Sequence, residues 1–162
     1  MASGIVLAGT TAANAATVKP MGACNSASTY AEVSSSSHAW TGLGSTLHSI
    51  NNTGVANTVT FTAGVSGGLS ATVSGTVEGG VSGAIASAKA SVSSSISANV
   101  SFSASASVSY VVPAGRTGYA QIGTDKYTVY IDNAKYNNNC VRSVVSRGTL
   151  VAPTSVGWKT WN

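Results

Sequence analysis

Few residues in this chain could do chemistry, and their spacing limits what that chemistry would be. Gly64-Val65-Ser66-Gly67-Gly68 matches G-x-S-x-G, the pattern of a nucleophile elbow. A serine nucleophile needs a base, an acid to orient it and an oxyanion hole. The only histidines are His38 and His48, neither with an evident acid partner, and Ser66 has no strand-turn-helix context. The motif therefore reads as a bulge in a Gly/Ser-rich strand, and the chain as a non-enzyme. The four acids, Glu32, Glu78, Asp125 and Asp132, are scattered and form no ligand cluster with the histidines, so no metal and no other cofactor is expected. Glu78 and Lys89 are the only charges between Val33 and Gly115 and read as a pair across a hairpin or as its solvated end.

Cys24 and Cys140 are the only cysteines. In an exported chain such a pair reads as one disulfide, and closing so long a loop is worth on the order of 4–5 kcal/mol in the chain-entropy model. Export is suggested by the short apolar run from Ala2 to Gly9 followed by Ala13-Asn14-Ala15-Ala16, which resembles an A-x-A cleavage site. Residues 1–15 then form a secretory signal, incomplete because it has no positively charged start, with a native strand as the alternative. Met21-Gly22-Ala23-Cys24 resembles a lipobox only locally, since Lys19-Pro20 interrupts the apolar run before it. The remainder, 16–162, suits a single secreted β-domain. No run of about 18 apolar residues is present, so no membrane helix is expected.

The net charge is +4, and Lys126, Lys135, Arg142, Arg147 and Lys159 concentrate in the C-terminal third without forming a basic run. They read as a solvated face, with anionic lipid or glycan as the alternative. No motif points to nucleic acid. The aromatic residues Tyr119, Tyr127, Tyr130, Tyr136, Trp158 and Trp161 suit either a small core or a surface contact, with Trp158 and Trp161 the better candidates for surface recognition.

The element that must organise these residues is the stretch Thr58 to Pro113. Leu69, Ala71, Val73, Val77, Val81 and Ile85 fall on odd positions, with Ser70, Thr72, Ser74, Thr76, Glu78 and Ser82 between them on even ones. Beyond Ala90 the parity reverses: Val92, Ile96, Ala98, Val100, Phe102, Ala104, Ala106, Val108 and Tyr110 are even, and serine fills nearly every odd position. Period two marks strands with two unlike faces, and a loop near Gly83 to Ala90 lets both apolar rows share one side of a ribbon. Such a ribbon suits either a transmembrane hairpin, apolar to lipid and polar to a lumen, or a strand pair packed on one face of a soluble β-protein. Around it, Val59 to Ala63, Tyr119 to Ile122, Tyr127 to Ile131 and Val141 to Val145 read as short strands. Ser34 to Ser37 reads as a loop, and Trp40 to Ile50 as a short strand or irregular turn.

A long Ser/Thr-rich alternating hairpin, preceded by the TVTF strand and followed by a strand closing on VVPAGRTGY, resembles the pore-forming module of the aerolysin-like family of β-pore-forming toxins, over roughly Val55 to Tyr136. The resemblance implies an all-β fold: an elongated twisted antiparallel sheet carrying a long amphipathic hairpin. It implies a pore-forming protein that forms a homo-oligomer and inserts 69–108 into a target membrane as a shared barrel. Val73, Val77, Val81, Ile85, Val92, Ile96, Val100 and Phe102 would face lipid; Ser70, Thr72, Ser74, Thr76, Glu78, Ser101 and Ser103 would line the lumen. The family's separate receptor-binding region has little room here, so receptor choice would rest on the Tyr/Trp-bearing ends or on a partner protein. The competing expectation is a non-catalytic extracellular adaptor, adhesive or structural protein that binds partners or itself through strand edges.

Overall fold

The computed structural model describes residues 29–162. Its elements in chain order are β1 (Tyr30–Gly42), β2 (Leu47–Ile50), β3 (Asn57–Thr62), β4 (Gly67–Ser70), β5 (Thr72–Gly75), α1 (Gly80–Ser91), β6 (Asn99–Phe102), β7 (Ser107–Val112), β8 (Thr117–Tyr136) and β9 (Arg142–Trp161). Strands predominate and every pairing is antiparallel. The expected signal over 1–15 and the Cys24 half of the expected disulfide lie outside the described residues. Cys140 is not a free thiol.

The main sheet is built on one hairpin. β8 and β9 are 20 residues each, about 66 Å at roughly 3.3 Å per residue, and this makes the sheet long. Short apolar stretches that read as separate strands are joined because the register shifts at Thr124/Lys126 and Asn133/Ala134 let pairing continue through local irregularity. The connecting turn is closed by the Asn137 side chain, whose Oδ1 accepts the backbone N–H groups of Asn139 and Val141, while Cys140 adopts a left-handed φ of 59°. β1 and β2 pair along the outer edge of β8, and β5 along the outer edge of β9, giving the order β1-β8-β9-β5. Ser34 to Ser37, expected as a loop, lies within β1, because the pairing that runs from Ser35↔Tyr130 to Ser37↔Thr128 overrides the weak strand preference of serine.

The stretch expected to be one long hairpin is divided. Its outer arms pair as a ribbon, β3 with β7 and β4 with β6. Its middle does not extend: β5 leaves to join β9, and α1 replaces the expected loop and strand ends. The reason is visible in spacing. Ala84, Ile85, Ala88 and Val92 recur at helical intervals, so the same small residues that alternate along a strand also make one face of a helix. Ala84 and Ala88 are fully buried. The core cluster joins Val77, Ala84, Ala88 and Ile96 from this middle segment to Val129, Ile131, Leu150 and Ala152 from the sheet.

Candidate functional site

The ribbon and the segment folded back from its end form the candidate site. Pairing runs from Asn57↔Val112 to Thr62↔Ser107 and resumes without a shift from Gly67↔Phe102 to Ser70↔Asn99. The interval holds the same number of residues on both arms, and the Ala63 N–H bonds the Ala106 carbonyl within it. Regular strand is therefore interrupted over 63–66 with the register kept, whereas Gly67 and Gly68, expected in a bulge, lie in β4. His38 stacks on Tyr127 (5.3 Å) and His48 lies beside Tyr119 (6.4 Å), both on β8 rather than near Ser66. One further bond, Ala71 N–H to the Ala98 carbonyl at 2.7 Å, closes the ribbon before its arms part.

The tucked segment, 72–97, is held to the sheet by a small set of contacts. β5 pairs with β9 from Thr72↔Val151 to Gly75↔Gly148. The backbone N–H of Thr76 donates to the Arg147 carbonyl (3.2 Å) and that of Ser97 to the Pro153 carbonyl (2.8 Å). Asn133 is the clasp. It is 2% exposed; its Oδ1 accepts the Glu78 N–H (3.0 Å), and its Nδ2 donates to the Thr76 carbonyl (2.7 Å) and to Ser146 Oγ (2.7 Å). Beside it, Val77 occupies the hollow over Gly148, where an added Cβ would overlap Val77 Cγ2 and stand 3.0 Å from the Thr76 carbonyl oxygen.

On the other face of the sheet, one position before the clasp, is a cluster of charges. Arg142 bridges Glu32 (3.0 Å) and Asp132 (3.3 Å), and Arg147 Nε donates to the other oxygen of Asp132 (3.1 Å). Burial works to lower the pKa of Arg142, but hydrogen bonds to Asp132 and Glu32 outweigh it and hold the guanidinium above its ordinary value. Tyr30 stacks on Tyr136 at 5.7 Å, and burial, followed by the contact with Tyr136, pushes its phenol pKa up.

The residues assigned from sequence to the two faces separate by exposure. Ser70, Thr72, Ser74, Thr76, Glu78, Ser101 and Ser103 are all exposed. Val77, Ile96 and Phe102 are buried, and Val73, Ile85, Val92 and Val100 are half-buried; Val81, at 43%, is the one exposed member. The structure brings Val77 and Ile96 together in the core, while Val100 and Phe102 stay in the ribbon. Glu78 and Lys89 form no ion pair; among the described residues, ion pairs join Glu32 and Asp132 to Arg142 and Arg147. Trp158 and Trp161, both expected as candidates for surface recognition, point to opposite faces of β9 because they are three positions apart on a strand. Trp161 is 39% exposed and stacked on Tyr119 at 5.6 Å, whereas Trp158 is half-buried opposite Ile122.

Sequence reading missed Asn133, Gly148 and the Arg142/Arg147 cluster. A lone asparagine or glycine inside a strand carries no local signal of what crosses it. Comparison with family models, curated proteins and solved structures found no match.

Proposed function

We propose that the protein is a secreted, non-catalytic pore-forming protein of aerolysin-like type, and that 72–97 is its membrane-insertion segment, stored against the sheet. The observation that carries this reading is the ribbon register. Continued beyond Ala71 and Ala98, it places Val73 opposite Ile96, Val77 opposite Val92 and Val81 opposite Ala88 on one face. On the other face it places Thr72 opposite Ser97, Ser74 opposite Ser95, Thr76 opposite Ser93 and Glu78 opposite Ser91. Gly75 opposite Ser94 is the one break in the apolar row. The turn falls at Ala84-Ile85, so the segment that is now split between strand and helix has a fully paired alternative with one apolar and one hydroxyl face. That is the pattern a barrel strand pair needs, and lipid tolerates strands only in a closed barrel. Insertion therefore requires several copies.

One observation favours the competing reading. Among the described residues β1 is an edge strand of 13 residues, mostly uncharged, with no strand paired along its outer side. An adaptor or self-assembling protein would use that edge.

Dye release from liposomes, with electron microscopy of the same sample, tests the pore. Release with rings is expected, and oxidised Ser74→Cys/Thr149→Cys, which ties β5 to β9, should stop release until reduced. A second pair reports the register. Helix α1 sets its ends, residues 80 and 91, about 16 Å apart at roughly 1.5 Å per residue, whereas the extended hairpin sets 78 and 91 face to face. Glu78→Cys/Ser91→Cys should therefore cross-link in permeabilised membranes and not in the soluble protein. Folded protein that releases nothing from several lipid mixtures and instead forms fibres or captures a strand would establish the edge reading.

A further inference from the structure

The sheet face opposite α1 carries a groove of about 550 Å³ that crosses four strands, with β5 of the tucked segment forming one side of it. Ser35, Tyr130, Thr149 and Ser74 form one transverse row of it, each paired with the next across β1, β8, β9 and β5, and Asp132 and Arg147 form the neighbouring row. These side chains point away from the core because they alternate with Ile131 and Leu150, which are buried in it.

Each part of the groove has a definable chemistry. Tyr130 is 47% exposed, and its ring offers a flat apolar surface. Ser35, Thr149 and Ser74 offer hydroxyl groups on both sides of it. Asp132 is buried, and both of its oxygens are engaged, one by Arg147 Nε and the other by Arg142. Arg142 is shared with Glu32, so these four charges balance, and the role of Asp132 is to fix Arg147. The Arg147 side chain in turn is 77% exposed, and with Nε held by Asp132 its two Nη groups make no other hydrogen bond among the described residues, which leaves them to receive a carboxylate or sulfate through two parallel hydrogen bonds.

We propose that this groove binds an acidic saccharide, with a sugar ring over Tyr130, its anionic substituent on the Nη groups of Arg147, and its hydroxyls bonded to Ser35, Thr149 and Ser74. A neutral sugar would leave Arg147 unused, and a simple anion would leave Tyr130 and the hydroxyl row unused. A phosphorylated polyol shares the anion and hydroxyl chemistry and is distinguished by experiment.

The test is a two-dimensional NMR titration of the full chain with sialyllactose, lactose and an inositol phosphate at millimolar concentrations. Shifts at residues 35, 74, 130 and 147–149 are expected with sialyllactose, with lactose weaker by about ten-fold, the loss of one charge-assisted pair. Arg147→Lys and Arg147→Gln should remove that preference in graded fashion, Tyr130→Ala should remove binding of both sugars, and Lys159→Gln should change nothing. Equal binding of the two sugars, no shifts with either, or insensitivity to both the Tyr130 and Arg147 variants would overturn the assignment. Tighter binding of the inositol phosphate would overturn it in favour of a lipid headgroup. Saccharide binding in solution is independent of membrane permeabilisation, so either reading can fail alone.

Discussion

At the scale of single residues, control of the tucked segment rests on Asn133 and Gly148, and on what surrounds them. Asn133→Ala removes three hydrogen bonds and leaves the Glu78 N–H and Thr76 carbonyl without a protein partner. Each such loss in a buried setting costs about 1–3 kcal/mol, reduced where water can enter. Limited proteolysis should show faster cleavage within 72–97 and unchanged cleavage within β8 and β9. Tyr30 sets a dependence on alkali. Its phenol has a raised pKa in the fold, so the unfolded chain loses this proton first, near the ordinary value of about 10. Its contribution is intact below that pH and is lost as pH rises through the folded pKa. Tyr30→Phe should therefore soften the fall in Tm above about pH 10, while leaving the Tm at neutral pH little changed. Neither role was readable beforehand: Asn133 matters because segment 76–78 crosses it, and Tyr30 because Tyr136 lies against it.

At the scale of elements, α1 is the component most easily converted. Its sequence includes Gly80, Val81, Gly83 and Ile85, residues that favour helix weakly. Its first turn has Gly79 at the N-cap with no side-chain cap, and Lys89 in the last turn is its one favourable charge. The helix is maintained mainly by Ala84 and Ala88 against the sheet, positions with no room for a larger group. Ala88→Leu should overpack the contact at a cost of about 1–3 kcal/mol. Hydrogen exchange should then accelerate in α1 and β5 and stay unchanged in the β3–β7 pair. The alternation along 58–113 was sufficient to foresee two arms with a common apolar face. It did not reveal the helix, because Ala, Ser and Gly fit both periods and the choice between them is made by contact.

At the scale of the whole molecule, the sheet and the tucked segment share one core. Val77, Ala84, Ala88 and Ile96 cover Val129, Ile131, Leu150 and Ala152, so lifting the segment in water would expose both sets. Under the pore reading, lipid and neighbouring copies must offset that exposure, which ties release to assembly. Ile96 is fully buried, and Ile96→Ala should lower stability by about 2–5 kcal/mol. Val111→Ala, at a site 55% exposed, should stay within about 0.5 kcal/mol; thermal melts of the two variants distinguish a shared core from an independent flap. The order of small apolar and hydroxyl residues was enough to specify strands with unlike faces and two arms whose apolar rows share a side; parity does not fix register, so the partners within the arms came only with the fold. Where 72–97 lies depended on the fold as a whole: on an open edge of β9, an uncovered apolar face and the clasp at Asn133, surfaces that exist only after residues far apart in the chain have come together.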